Sequence, residues 1–308
     1  MTPHRRTLSA LLLIGVLALT GCATHEQPAP APDQGSAFPV TVTPKGGQPL
    51  TLTAQPKRII SLSPASTEDL YAIGAGGQVA AVDKLSNHPA QAPRTDLDAY
   101  KPNVEAIAAK SPDLVVAYYD ANNLVSGLQK LKVPVLVLPA ANSLDEAYEQ
   151  VSLLGRATGH AAEADKLAAQ LKAQIAEVVA KTPKPARPLT YFHEVSADGY
   201  TLTAKTFAGQ VYSLFGLGNI ADSASAAGPY PQLSAEQVIK ADPDLIFLAD
   251  TKCCQQSPAT VAARPGWGTL KAVRGNGVVA LDDDVASRWG PRVVDFARAV
   301  GDAVSKAH

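Results

Sequence analysis

The chain has 308 residues, of which 46% are hydrophobic and 18% are charged, and its formal net charge is −1. This composition is sufficient for two buried cores and excludes a chain that is disordered throughout. Because the charges nearly balance, the chain lacks the basic field of most nucleic-acid binders, and no nucleic-acid partner is predicted.

The first 22 residues have the three regions of an export signal. Basic residues that include Arg5 and Arg6 precede an apolar run over residues 8–19, which is too short to span a membrane comfortably. The following LTGC resembles a bacterial lipobox, which implies that Cys22 is lipidated; the alternative is a signal cleaved elsewhere, with Cys22 incidental. Residues 23–37, rich in Pro and Ala, predict a flexible tether. We therefore expect an extracytoplasmic protein anchored to a bacterial membrane.

After the tether, short apolar strands alternate with helical segments. Residues 40–52 predict a hairpin, and a helix is expected to begin at Ser66 or Thr67. The later strands are expected at residues 59–62, 79–82, 135–138, 189–195, 245–249 and 278–281, with one more directly after the Pro-Asp-Leu at residues 112–114. Strands separated by helices are typical of parallel βαβ units. We therefore predict two α/β lobes with mostly parallel sheets, residues 38–142 and 183–308, joined by helical residues 143–182.

One long helix is predicted between the lobes, from about Ala161 to Lys181. It contains no Gly or Pro, and Leu167, Leu171 and Ile175 recur on one face at helical spacing. Such a helix is roughly 30 Å long, about the width of a small domain. We expect it to act as a rigid connection.

A similar segment occurs once in each predicted lobe. NVEAIAAKSPDLVVAY covers residues 103–118 and LSAEQVIKADPDLIFLAD covers residues 233–250. Each has a Glu, Glu105 or Glu236, followed by Pro-Asp-Leu and then by an apolar strand. The duplication predicts two lobes related by a pseudo-two-fold axis.

Together with LTGC and PKRIISLSPASTEDLYAIG, these segments resemble the substrate-binding proteins of bacterial ABC importers for iron chelates and cobalamin. The resemblance extends from about Pro56 to Val304. It implies two Rossmann-like lobes, one long α-helix between them, a ligand in a shallow cleft and little hinge motion. It also implies a monomer without a cofactor of its own, since the transported chelate carries the cobalt or iron.

The resemblance gives Glu105 and Glu236 a role in docking. In such proteins, one glutamate on each lobe pairs with arginines of the two permease subunits, which work with an ATPase. The alternative is that both carboxylates merely favour the first turn of a helix, where the helix dipole attracts negative charge.

The ligand cleft is expected where loops follow the carboxyl ends of the strands. The family's cobalamin binders have aromatic residues at positions resembling Tyr100, Tyr118 and Tyr230, and a positive side chain near Arg288. A cation there would suit a ligand with carboxylate, hydroxamate, catecholate or phosphate oxygens. The full set of candidates is Ser63, Ser66, His88, Tyr100, Tyr118, Tyr119, Tyr200, Lys205, Phe207, Tyr230, Arg288 and Trp289. Taken alone, each of these residues could instead pack in the protein interior or lie on the surface without contacting a ligand.

Other classes of function find less support in the sequence. No Gly-x-Ser-x-Gly elbow or P-loop indicates an enzyme, and no His/Asp/Glu cluster has the spacing of a zinc site. His88 could ligate a metal, although a lone His in a polar loop is usually a surface residue. A corrinoid is the favoured ligand and a ferric siderophore remains possible. A haem binder, or a signalling or adhesion lipoprotein with the same fold, is the alternative.

Cys253 and Cys254 are adjacent and, in an oxidising compartment, are predicted to form a vicinal disulfide. The alternatives are two reduced thiols, or thiols that react with a metal.

Overall fold

The computed structural model describes residues 38–307. The predictions for the signal, for Cys22 and for the tether lie outside the described residues. Within residues 38–307, no helix is both long and apolar enough to cross a bilayer. The chain folds as predicted into an α/β structure with two lobes, each built on a parallel four-stranded sheet.

The N-terminal lobe begins with an antiparallel hairpin, β1 (Val40–Val42) and β2 (Leu50–Leu52). Its sheet contains β3 (Ile59–Leu62), β4 (Val79–Val82), β5 (Leu114–Ala117) and β6 (Val135–Val137). Its helices are α1 (Pro64–Ala72), α2 (Val104–Ala108) and α3 (Leu124–Lys130). The strand order is β4-β3-β5-β6, and β3 and β5 are buried along their whole length.

Two helices connect the lobes, α4 (Leu144–Thr158) and α5 (Ala161–Lys181). The C-terminal lobe contains the strands β7 (Thr190–Glu194), β8 (Gly218–Asn219), β9 (Leu245–Leu248) and β10 (Val278–Ala280). Its helices are α6 (Phe207–Ser213), α7 (Ala235–Ala241), α8 (Pro258–Ala262), α9 (Lys271–Arg274), α10 (Asp283–Ser287) and α11 (Val293–Lys306). The sheet order is β8-β7-β9-β10. Since the N-terminal sheet has the same order, the two lobes repeat one topology.

The helix α1 begins earlier than predicted from the sequence. Ser63 is its N-cap, its hydroxyl accepts a hydrogen bond from the backbone N–H of Ser66, and Pro64 occupies the first turn. Proline fits there because its fixed φ suits the helix and its missing N–H would have no helical partner. Ser66 therefore lies inside the helix and not at its start.

The connecting helices α4 and α5 form a hairpin, and both lobes share it. The turn between them is at Gly159, which has a φ of +79°, and the helices are in van der Waals contact where Gly155 faces Ala164. On α5, Ala164 packs into the core of the N-terminal lobe, whereas Leu171 and Ile175 pack into that of the C-terminal lobe. The long helix is thus confirmed, and its two ends lie in different cores.

The repeated Pro-Asp-Leu segments have a structural role at the start of each sheet. The Asp113 carboxylate accepts hydrogen bonds from the backbone N–H groups of Lys57 and Arg58, just before β3, at 2.7 and 2.8 Å. The Asp244 carboxylate accepts one from the N–H of Thr190, the first residue of β7, at 2.9 Å. Asp113 therefore ties β5 to β3, and Asp244 ties β9 to β7.

Candidate functional site

An aromatic wall follows the carboxyl end of β5 and continues onto the C-terminal lobe. Tyr118 and Tyr119 come directly after the strand, with ring centroids 5.0 Å apart. The Tyr119 ring lies 6.1 Å from Tyr100, and the Tyr118 ring lies 5.5 Å from Trp289 of the C-terminal lobe. The structure therefore brings together four of the predicted ligand residues, which we call the aromatic wall: Tyr100, Tyr118, Tyr119 and Trp289.

Hydrogen bonds fix one end of this wall. The indole N–H of Trp289 donates to Oε1 of Gln150 on α4 at 2.9 Å, and the Gln150 side-chain NH₂ donates to the carbonyl of Pro139 at 2.7 Å. The other end is open, since Tyr100 is 57% exposed. The aromatic wall is therefore an accessible surface that is anchored at Trp289 and open at Tyr100.

The phenols near the wall favour the neutral state. Burial raises the pKa values of Tyr118 and Tyr119, and neighbouring tyrosines raise them further. Tyr230 is 57% exposed, and partial burial, with a smaller contribution from Tyr118, raises its pKa as well. A neutral tyrosine offers an apolar ring face together with a hydroxyl that donates and accepts hydrogen bonds. This combination suits a large flat ligand with polar edges.

Arg288, the predicted cation of the cleft, is already paired within the protein. Its guanidinium donates to Glu68 of α1 at 3.0 Å and to Asp284 at 2.6 Å. It also donates to the carbonyl of Leu85, and Arg292 joins the same carboxylate of Glu68 at 2.6 and 2.8 Å. Since Glu68 and Leu85 belong to the N-terminal lobe, Arg288 lies at a junction between the lobes.

A polar loop of the N-terminal lobe completes this junction. The Asn87 side chain donates to Asp284 at 3.0 Å and accepts from Arg288 at 2.8 Å. The next residue, His88, is exposed. No group of three or more potential metal ligands occurs among residues 38–307. Nothing in the geometry makes His88 a metal ligand.

Three of the predicted ligand residues are buried within the protein. Ser63 and Ser66 are each 1% exposed, and the Ser63 hydroxyl is used in capping α1. Phe207 is 8% exposed and packs in the core of the C-terminal lobe. Strand-end position alone did not distinguish side chains that face the cleft from side chains that support it.

Two further candidates are exposed but lie outside the aromatic wall. Tyr200 pairs with Gln232 in an isolated antiparallel bridge, next to the start of α7. Lys205 lies in the loop before α6 and is exposed; in the described part of the chain it forms no ion pair.

The two repeated glutamates occupy the same position in equivalent helices. Glu105 is the second residue of α2, after the N-cap Asn103, and Glu236 is the second residue of α7, after the N-cap Ser234. Both are exposed, and neither forms a salt bridge within residues 38–307. The pKa of Glu236 is lowered by hydrogen bonds from its own backbone N–H and from Ser234. Both carboxylates are free to meet a partner, and both also fit the helix-dipole explanation.

The loop after β9 carries the two cysteines. Their Cα atoms are 3.8 Å apart, their sulfurs are paired, and both residues are exposed. The backbone N–H groups of Thr251, Lys252 and Cys253 all donate to the Asp283 carboxylate. This loop is therefore held by α10, the helix that also contains Asp284.

Sequence reasoning missed most of the polar residues that support the site, namely Glu68, Gln150, Asp284 and Arg292. Glu68 meets its arginines across 220 and 224 residues of sequence. No local pattern indicates such a pair. A weak signal was present in α1, where the acidic residues Glu68 and Asp69 occur on a short helix that is buried on most sides.

Comparisons with known proteins agree with this architecture. A family model described as "Periplasmic binding protein" matches residues 59–285. The chain is 28% identical to the "Uncharacterized ABC transporter substrate-binding lipoprotein YvrC" of Bacillus subtilis, over 97% of each chain. It is 29% identical to a "Cobalamin-binding protein" of Halobacterium salinarum, over 95% of this chain and 83% of the relative.

Among solved structures, the vitamin B12 binding protein BtuF of Vibrio cholerae superposes with a TM-score of 0.67 at 28% identity. The match covers 82% of this chain and 98% of that chain. These relatives are named as binding proteins and not as enzymes.

Proposed function

Because the chain belongs to the periplasmic binding protein family, we propose that it captures a corrinoid in the cleft between its lobes and delivers it to an ABC importer. In this proposal it is a monomeric, lipid-anchored receptor on the outer face of a bacterial membrane. The aromatic wall is the observation that carries the proposal.

The chemistry of the wall supports a large, flat ligand without strong negative charge. Four aromatic rings from both lobes form one surface, and their neutral hydroxyls can bond amide groups at the edge of a macrocycle. The nearby guanidinium groups of Arg288 and Arg292 are already paired with carboxylates. The names of the relatives in Halobacterium salinarum and Vibrio cholerae point to the same ligand class.

Two other chelates receive weaker support. A ferric siderophore remains the second candidate, since the exposed Lys205 offers a cation to anionic oxygens. For haem, an axial tyrosine binds iron as a phenolate. No axial Tyr/His pair for haem iron can be named from the sequence.

Delivery would use the repeated glutamates. A two-fold permease presents the same surface twice, so a monomer that carries Glu105 and Glu236 at equivalent positions can match it. Exposed ion pairs contribute only about 0–1 kcal/mol each, which would set the register and leave docking reversible. A permease with its ATPase is therefore the proposed partner, and a signalling or adhesion role would not require this match.

Membrane attachment is proposed through Cys22. Its sequence context resembles a lipobox, and the relative from Bacillus subtilis is named a lipoprotein. With the signal removed and acyl chains on Cys22, residues 23–37 would act as a tether between the membrane and the lobes.

The ligand is tested by titrating intrinsic Trp and Tyr fluorescence with cyanocobalamin, ferric siderophores and haemin. We expect cyanocobalamin to bind most tightly and Tyr118→Ala to weaken it by about tenfold or more, because a central ring of the wall is lost. Leu131→Ala removes an exposed apolar side chain at the C-terminal end of α3 and should change the affinity less than about twofold. Tight binding of a ferric siderophore without binding of cyanocobalamin would show that the corrinoid assignment is wrong.

A further inference from the structure

The junction between the lobes is centred on one buried carboxylate. The Glu68 side chain is 2% exposed, and both of its oxygens are occupied. Oε1 accepts from Arg288 and Arg292 at 3.0 and 2.6 Å, and Oε2 accepts from Arg292 at 2.8 Å. All these donors come from the C-terminal lobe, so α1 is tied to the segment that leads into α11.

The charges at this junction compensate one another. Arg288 also pairs with Asp284, whose carboxylate is bound by Lys252 at 3.0 Å, and Lys252 pairs in turn with Asp282. Each cation of this set therefore faces a carboxylate. Removing one partner of a buried pair leaves an uncompensated charge. Without Glu68, Arg288 would keep Asp284 as its salt-bridge partner, and Arg292 would lose the carboxylate that it contacts.

The position of these arginines gives the pairing a consequence for the ligand. Trp289 follows Arg288 directly and forms the end of the aromatic wall, 5.5 Å from Tyr118. An unpaired guanidinium at this point would be a strong site for carboxylate or catecholate oxygens, because its planar donors match them. The Arg288 side chain is 11% exposed, so little of it is open to solvent.

We infer that Glu68 is a specificity-determining residue, which neutralises Arg288 and Arg292 and thereby selects an uncharged chelate over an anionic one. The inference rests on the proposed function, because it concerns the same cleft. It assigns the discrimination to a residue that does not touch the ligand. Glu68 acts by occupying the cations that an anionic ligand would need.

The test uses Glu68→Gln, which keeps the size of the side chain and removes its charge. Its readout is the ratio of haemin affinity to cyanocobalamin affinity, since haemin carries two propionates and cyanocobalamin has no net charge. We expect the ratio to rise by about fivefold or more at low ionic strength and the gain to shrink at high salt, where charges are screened. Glu163→Gln, an equal charge change at an exposed position on α5, is the matched control and should leave the ratio unchanged.

A double variant tests the cause. In Glu68→Gln combined with Arg288→Gln, the released cation is removed again, so the ratio should return toward that of the unmodified protein. Circular dichroism and thermal melting establish which variants are folded. Should Glu68→Gln not fold, Arg288→Gln alone takes its place: because Glu68 already occupies Arg288, the loss of this arginine should leave the ratio of haemin to cyanocobalamin affinity unchanged within about twofold.

The inference is overturned if folded Glu68→Gln gives the same ratio as Glu163→Gln or, in its place, if folded Arg288→Gln lowers the ratio severalfold. It is also overturned if Glu68→Gln keeps the full gain when Arg288→Gln and Arg292→Gln are both added, because no released cation then remains. The proposed function fails separately, when the unmodified protein does not bind cyanocobalamin. In that case the haemin affinities of Glu68→Gln and Glu163→Gln still decide whether Glu68 restrains the arginines.

Discussion

At the scale of single residues, the C-terminal lobe buries two titratable groups whose pKa values move in opposite directions. Asp250 follows β9 and is fully buried, and its burial, with a contribution from the nearby Glu194, raises its pKa to about 7. His193 on β7 is buried against the Tyr212 hydroxyl at 2.8 Å, and burial lowers its pKa to about 3. The native state therefore holds Asp250 protonated and His193 neutral in mildly acidic solution.

These shifts have opposite effects on stability. The contribution of Asp250 is fully present below the pKa of an unfolded aspartate, about 3.9, and is lost as the pH rises toward about 7. The contribution of His193 is present above the unfolded histidine value of about 6.5 and is lost as the pH falls toward about 3. Between about pH 4 and 6.5, each group changes the free energy of unfolding by about 1.4 kcal/mol per pH unit. The two changes have opposite signs and therefore cancel.

Replacing each group should therefore expose the effect of the other. From pH 4.5 to 6.5, the free energy of unfolding of Asp250→Asn should rise relative to the unmodified protein by roughly 2–3 kcal/mol, and that of His193→Gln should fall by a similar amount. Urea denaturation at three pH values measures both. Asp96→Asn, at an exposed position, serves as the control. Equal pH dependence in Asp250→Asn and the unmodified protein would contradict the assignment.

At the scale of secondary-structure elements, the repeated Pro-Asp-Leu shows how one motif serves two lobes in different surroundings. Asp244 has a side-chain exposure of 7%, and its pKa is lowered chiefly by hydrogen bonds from Arg187. Asp113 makes the equivalent backbone contacts but is exposed to solvent. A buried N–H that loses its acceptor costs more than one that water can reach.

The two aspartates should therefore differ in their contribution to stability. We expect Asp244→Ala to lower the free energy of unfolding by about 2–3 kcal/mol, because the N–H of Thr190 loses its partner beside a buried strand. Asp113→Ala should cost about 1 kcal/mol, since water can replace the carboxylate. Urea denaturation measures both, with Asp96→Ala as a control that should change little. An equal or larger loss in Asp113→Ala would refute the explanation by burial.

The sequence predicted the elements with strong periodicity and missed the short ones. The bounds of α5 follow from its apolar face and the Pro-rich end, and the same holds for buried strands such as β3. The elements α8, α9, α10 and β8 have two to five residues each, which is too few for a period to be recognised. One of these short helices, α10, nevertheless holds the loop with the cysteines through Asp283 and pairs with Arg288 through Asp284.

At the scale of the whole molecule, the candidate site was predicted in its aromatic part and not in its ionic part. The tyrosines after β5 could be found because parallel strands present their carboxyl ends on one edge of a sheet. The pairing of Arg288 within the protein could not be predicted from the sequence. Its partner Glu68 lies 220 residues away and meets it only once both lobes are folded and joined. A charged residue in a sequence indicates that an ion pair can form. Only the assembled lobes show whether its partner is a ligand or another residue of the protein.

The twin lobes also give the strongest test of transport. We expect Glu105→Ala with Glu236→Ala to leave the affinity for cyanocobalamin unchanged and to lower uptake by tenfold or more in cells that depend on this receptor. Both carboxylates are exposed and equivalent in the two lobes, and none of the residues in the aromatic wall is altered. Glu149→Ala with Glu163→Ala removes two exposed charges from the connecting helices and should preserve uptake. Normal uptake by the first variant would mean that the repeated glutamates serve only their helices, as the dipole explanation requires.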